Sequence, residues 1–285
     1  MSSTDSVARA TYRHLEPVHA VTYFAPQAHQ AYVDAGLTGF WRGYFAGRAA
    51  CLGAGAPEPV VTALFNTFAP STVARSIPSV WERISPEAAL AARLDGARAA
   101  LAALEPDPEA VRVAADVAVR AATSATLHGR ALGAAEAAQP YPGGDDDLGR
   151  LWRAATVLRE VRGDGHVAAL LAHGLSGLEA TVLRCGDDLA RSTLQPMRGW
   201  SDEEWESAEV ALRGRDLLDD DARATRAGTD LLAVVEQVTD DLAAQPWDAV
   251  GAEATAAFLD ATADLVAAAR AAYLAPAAGL GLAGR

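Results

Sequence analysis

Five ionisable side chains fall within the eight residues Arg159-Glu160-Val161-Arg162-Gly163-Asp164-Gly165-His166. An imidazole beside a carboxylate suits general acid/base work, with Asp164 holding one tautomer of His166. Arg162 would clamp a carboxylate ligand with its two-pronged guanidinium. Gly163 and Gly165 would let a ligand approach the backbone. The alternative is structural: a helix end whose arginines face the negative dipole, with Asp164 capping the next helix. A second cluster is Gly39-Phe40-Trp41-Arg42-Gly43-Tyr44-Phe45-Ala46-Gly47-Arg48. Its glycines recur at four-residue steps, so they share one helical stripe. Interior glycines cost roughly 1 kcal/mol each against alanine, which implies close helix packing or a cofactor lying on the stripe. Trp41, Tyr44 and Arg48 share another face and would suit a flat, acidic or aromatic ligand through stacking and an ion pair. Third, Glu16-Pro17-Val18-His19 leads to Tyr23. His19 and Tyr23, four apart, would form a proton-transfer pair, contact a haem, or simply hydrogen-bond in a core. No His-Glu-x-x-His, Cys-x-x-Cys or EF-hand spacing is present, so no metal site is expected.

The elements that must carry these groups read as helices. Of 285 residues, 51% are hydrophobic, with alanine the dominant type, and alanine has the highest helix propensity. Expected helices run over 87–104, 108–138 with a break near Gly129, 148–161, 202–213, 225–242 and 253–273. Gly163 and Gly165 are expected to end the 148–161 helix. Ser85-Pro86 and Ser201 are expected N-caps. The stretch Gln139-Pro140-Tyr141-Pro142-Gly143-Gly144-Asp145-Asp146-Asp147 reads as a linker.

A weak repeat spans that linker. Residues 35–40 read Ala-Gly-Leu-Thr-Gly-Phe and residues 173–178 read His-Gly-Leu-Ser-Gly-Leu. Each follows an apolar turn headed by a histidine, His29 or His166, and each leads to a cysteine, Cys51 or Cys185. Trp81 and Trp200 precede the two serine caps. Halves of 15–142 and 148–275 are expected, related by a pseudo-twofold axis with a ligand pocket between them.

Composition excludes several functions. All 24 basic residues are arginine, so a Schiff-base lysine, a pyridoxal-phosphate lysine and a P-loop lysine are ruled out. Two cysteines build no disulfide framework, which points to a reducing cytoplasm. The opening residues lack the apolar core of a signal peptide, and no uncharged run suits a membrane span.

Two stretches carry a resemblance. Gly199-Trp200-Ser201-Asp202-Glu203-Glu204-Trp205, then Leu212-Arg213-Gly214-Arg215-Asp216-Leu217-Leu218-Asp219, then Thr225-x-x-Gly228, resembles the later part of a MarR-type winged helix. There a helix ends in an Arg-Gly-Leu-Leu-like turn, a two-stranded wing follows, and Thr-x-x-Gly opens a long helix. Glu16-Pro17-x-His19, Phe40-Trp41-x-Gly43 through Arg48, and Leu158 through His166 resemble an actinobacterial family of helix-turn-helix proteins over most of residues 10–275. The resemblance implies a mainly α, winged-helix-like fold. Charge argues against DNA as the partner: the chain carries a net −13, and residues 200–285 hold 17 acids against six arginines. The matching recognition helix would present Glu203, Glu204, Glu206 and Glu209. Three readings follow: a small-molecule-binding regulator or sequestering protein, an acid/base enzyme on an anionic or aromatic molecule, and a DNA-binding repressor. The first site set is His166, Asp164, Arg162, His19 and Tyr23 for catalysis. The second is Trp41, Tyr44, Arg48, Arg159 and Glu160 for ligand. Cofactor identity and homodimer formation stay open.

Overall fold

A computed structural model describes residues 6–274. Among the described residues fourteen α-helices follow one another, and no strand forms beyond a single antiparallel bridge between Leu218 and Ala224. The fold is mainly α.

α1 (Val7–Phe24) starts at Ser6, whose hydroxyl accepts the Arg9 N–H. α2 (Pro26–Asp34), α3 (Phe40–Ala49), α4 (Glu58–Leu64) and α5 (Pro70–Ala74) are short, and three of them start with a proline in the first turn. Proline is preset for that position and has no N–H to leave unpaired. α6 (Pro86–Ala102) and α7 (Pro108–Ser124) are capped by Ser85 and Asp107, and α8 (Ala131–Ala137) follows Gly129, whose φ is +73°. α9 (Asp147–Ala172), α10 (Gly177–Asp187), α11 (Arg191–Arg198) and α12 (Asp202–Arg213) lead through the Leu218–Ala224 turn into α13 (Arg226–Val250) and α14 (Ala252–Ala269).

The main core gathers residues of α1, α6, α7, α9, α13 and α14, including Leu15, Leu101, Val111, Trp152, Trp247 and Phe258. Alanines such as Ala97, Ala114, Ala118 and Ala155 line it. Small side chains let these helix backbones approach closely. A second cluster packs Phe45, Phe65, Phe68 and Ile77 under α2–α5. A third packs Leu175, Leu183, Trp205 and Leu212 under α10–α13. Among the described residues no single helix is long and apolar enough to cross a membrane.

The expected helix over 148–161 does not stop at Gly163 or Gly165; α9 runs through both to Ala172. The reason is packing. A β-carbon at Gly165 would sit 2.7 Å from the Arg130 guanidinium and 3.4 Å from Leu242, so glycine is needed for close approach rather than for a turn. The first half of the repeated hexapeptide adopts one turn twice, whereas the second halves differ: Gly39, with positive φ, precedes α3, but Gly177 is already the first residue of α10 after the Ser176 cap. Leu37 N–H bonds the Tyr32 carbonyl and Leu175 N–H bonds the Leu170 carbonyl, each just after a glycine with positive φ, Gly36 or Gly174. Both turns are left-handed helix ends closed by a buried leucine.

Candidate functional site

A cavity of about 580 Å³ lies where α1, α3, α9, α11 and α13 meet the 64–68 segment. Eight arginines contribute to its wall (Arg9, Arg13, Arg48, Arg159, Arg162, Arg184, Arg198 and Arg270), against four carboxylates (Glu16, Glu160, Asp164 and Glu236). Tyr12, Tyr44, Phe65 and Phe68 supply its aromatic surface. An acidic protein has thus concentrated its positive charge inward.

Helix register brings most of the expected groups here. Glu160 and Arg48 form a buried pair, with Nη2 3.2 and 3.1 Å from the two carboxylate oxygens. Arg159 reaches Glu160 at 3.1 Å and Glu16 at 3.2 Å. Burial alone would raise the Glu160 carboxyl, but Arg48, Arg159 and Arg93 together hold it below its ordinary value. Tyr44 accepts a 2.9 Å hydrogen bond from Arg48, and the Arg198 guanidinium lies close enough to act on it electrostatically. Burial opposes ionisation of this phenol, yet the two guanidiniums and Arg159 bring it below its usual range.

His166 lines the cavity, but not as the sequence suggests. Asp164 does not orient it: that carboxylate accepts the Gly133 N–H at 2.8 Å, tying α9 to the start of α8. The imidazole instead meets Thr239 Oγ1 at 3.0 Å through Nδ1. Thr239 already donates to the Val235 carbonyl, so it accepts here and Nδ1 carries the proton. Nε2 is left as the acceptor nitrogen, with Glu236 3.7 Å from Nδ1. Arg162 is likewise no free clamp. It is held by Asp240 at 2.9 Å and Glu236 at 3.1 Å, and its guanidinium lies 4.0 Å over the Tyr12 ring. The Nε atoms of Arg48 and Arg162 are buried and find no acceptor in the protein.

Three expected residues lie outside the cavity wall. His19 and Tyr23 do bond each other, at 2.8 Å, but inside the core. His19 is fully buried, stacked on Trp152, and its Nδ1 meets Thr156 at 3.0 Å. Thr156 donates to the Trp152 carbonyl, so His19 donates to Thr156 and Tyr23 donates to His19. Every proton in that chain is committed. Trp41 packs edge-on against Tyr44 and Phe68 as part of the second core cluster. The glycine stripe of α3 is filled by a side chain: a β-carbon at Gly47 would clash with the Tyr32 hydroxyl, and one at Gly43 with its ring. Tyr32 therefore occupies the face on which a cofactor was considered.

Sequence reasoning missed Arg9, Tyr12, Glu236 and above all Arg198. The last two helical residues before Gly199 gave no sign that Arg198 turns inward. Its guanidinium stacks 4.4 Å over Phe68, and burial pulls it below its ordinary value. The wall segment that meets it also grips α10 and α11. Ala69 N–H bonds the Arg198 carbonyl at 2.9 Å, and Trp200 Nε1 donates to the Thr67 carbonyl at 2.9 Å.

A family model, described as a helix-turn-helix family, matches residues 8–276. The chain belongs to that helix-turn-helix family. No curated protein and no solved structure matches it. In this helix-turn-helix protein α10 and α12 pack together, with α11 between them in sequence, and the Leu218–Ala224 bridge and the Thr225 cap of α13 follow. Among the described residues no group of three or more His, Cys, Asp or Glu side chains is placed to hold a metal ion.

Proposed function

We propose that this helix-turn-helix protein binds a small anionic molecule in the cavity and acts as a ligand-responsive regulator or a sequestering protein. The observation that carries the reading is the two-to-one excess of arginines over carboxylates around an aromatic-lined cavity of about 580 Å³. That size matches ordinary small-molecule sites, which run from roughly 300 to 1,000 Å³. We further propose that residues 199–228 are a reduced MarR-like winged-helix segment, and that the halves 15–142 and 148–275 descend from a duplication. The twice-used turn after Gly36 and Gly174 supports the duplication. Native mass spectrometry of the purified chain, followed by denaturing mass spectrometry and an absorption spectrum, tests ligand binding. A co-purifying anion supports it. A bare mass, joined by no binding across a panel of aromatic acids, removes it.

DNA binding is the second reading, favoured by the family. Against it, α12 presents Asp202, Glu203, Glu204 and Glu206 to solvent, while Glu209 turns inward to Arg191 and Arg213. Phosphate contacts need the opposite charge. Fluorescence anisotropy with the protein's own upstream DNA should show no salt-dependent binding; binding that weakens steeply with salt would restore the DNA reading.

A further inference from the structure

We propose that anion binding in the cavity is coupled to proton uptake by His166, with the added proton placed on Nε2 and shared with an oxygen of the bound anion. This rests on the cavity being an anion site. His166 lines the wall, and its side chain is 33% exposed. Its two nitrogens have different surroundings. Nδ1 donates to Thr239, which is fully buried and already donates to the Val235 carbonyl. Thr239 can therefore only accept, and the Nδ1 proton stays where it is. Nε2 has no hydrogen-bond partner among the described residues, so the exposed edge of the ring is a bare acceptor.

On its own the wall opposes a second proton on this ring. Burial weighs most, and Arg162 of α9, Arg184 of α10 and Arg159 of α9 add repulsion. Glu236 of α13 is the carboxylate that favours the charge, 3.7 Å from Nδ1. It is already shared by Arg9 of α1 at 2.8 Å and Arg162 at 3.1 Å, so it has little compensation left to give. Asp240, one turn further along α13, is taken up by the same two arginines, Asp164 is turned to the Gly133 N–H, and Arg184 is paired with Asp188. An entering anion reverses the balance. Its charge offsets the arginines, and its oxygen accepts the new Nε2–H. The ring need not turn, because the Thr239 bond persists. By linkage, a site that takes up a proton with its anion holds that anion more tightly as pH falls. The ligand is then an oxyanion that keeps its charge in mild acid, of the carboxylate, phosphate or sulfate kind. A phenolate, which takes its own proton near pH 10, does not qualify.

The test is NMR of the full chain with sodium sulfate as the probe, against sodium chloride at equal ionic strength. Sulfate keeps both its charges from pH 8 down to pH 5, so its own titration does not enter. Sulfate titrations at pH 7.5 and 5.5 should show binding that tightens about threefold or more at the lower pH. The His166 ring signals, followed over the same range, should reach their midpoint at a higher pH in sulfate than in chloride. His166→Gln should lose the pH dependence of sulfate binding. Where that variant does not fold, the ring titration of the wild type decides alone. Equal sulfate affinity at both pH values, with an unmoved His166 midpoint, would overturn the coupling and leave the anion site intact. Tightening at pH 5.5 that His166→Gln retains would overturn His166 as the proton acceptor. An absence of sulfate binding at both pH values would overturn this inference together with the anion reading on which it rests.

Discussion

Three buried or half-buried histidines use one device. His14, His19 and His166 each donate from Nδ1 to a helix threonine, Thr262, Thr156 or Thr239, at 2.7, 3.0 and 3.0 Å. Each threonine is occupied as donor to the carbonyl four residues earlier, so it serves only as an acceptor. The arrangement fixes a neutral tautomer. Burial is the main reason that all three imidazoles sit below the ordinary 6.5, with neighbouring arginines adding to it. The consequence has a definite sign. The unfolded chain takes up protons near 6.5 that the folded protein refuses, so this stability is full above about pH 6.5 and is lost as pH falls toward the depressed folded values. Thermal melts should show Tm falling between pH 7.5 and 5.5, with a shallower fall in a His14→Gln, His166→Gln double variant. A Tm that stays level over that range would contradict it. Spacing made the His19–Tyr23 contact legible, because two residues four apart on a helix meet. It could not reveal that Thr156, 137 positions away, completes the chain and seals it from ligand. For the same reason Arg162 looked available: Glu236 and Asp240 belong to a helix that sequence cannot place beside it.

At the scale of the element, helix starts were easier to read than helix ends. Ser85 and Ser201 cap α6 and α12 as their sequence contexts require, because capping is local chemistry. The end of α9 was misjudged because a glycine held inside a long packed helix does not break it; Gly165 lies against Arg130 and Leu242, while Gly163 has only Glu160 of its own helix nearby. α8 is a short helix held by charge. Its Glu136 is fully enclosed between Arg93 of α6 and Arg153 of α9 and bonds both. Replacing it by glutamine leaves two buried guanidiniums around one amide, so Glu136→Gln should cost about 3–5 kcal/mol in urea unfolding. A loss below about 1 kcal/mol would show that water already screens this triad. α10 docks by steric fit instead. A β-carbon at Gly177 would overlap the Asn66 carbonyl on the 64–68 segment. Gly177→Ala should therefore cost about 1–3 kcal/mol as an overpacked contact, and an unchanged Tm would show that α10 is not pressed on that segment. The same segment forms the cavity wall, so any ligand that touches Phe65 or Phe68 also bears on α10 and α11.

Over the whole molecule, the first and last described helices are neighbours. α1 meets α14 through the His14–Thr262 bond and the tilted contact of the His14 ring with Phe258, and Arg270, just past the end of α14, donates to the Arg13 carbonyl. Phe258 is completely buried, packed on Trp247 at 5.0 Å between ring centres. Phe258→Ala should cost about 3–5 kcal/mol, read by urea unfolding followed through tryptophan fluorescence. A cost under about 1 kcal/mol would mean that α14 is peripheral to the main core. None of this closure was visible in the sequence, where alanine-rich amphipathic helices look alike and nothing states which packs on which. It has a consequence during synthesis. The apolar side of α1 leaves the ribosome some 230 residues before α14, an interval of about 10–50 s at ordinary elongation rates. Through that time α6 and α9 can already pack on α1, but the side of it that faces α14 stays open, so the main core closes there only after α14 has emerged.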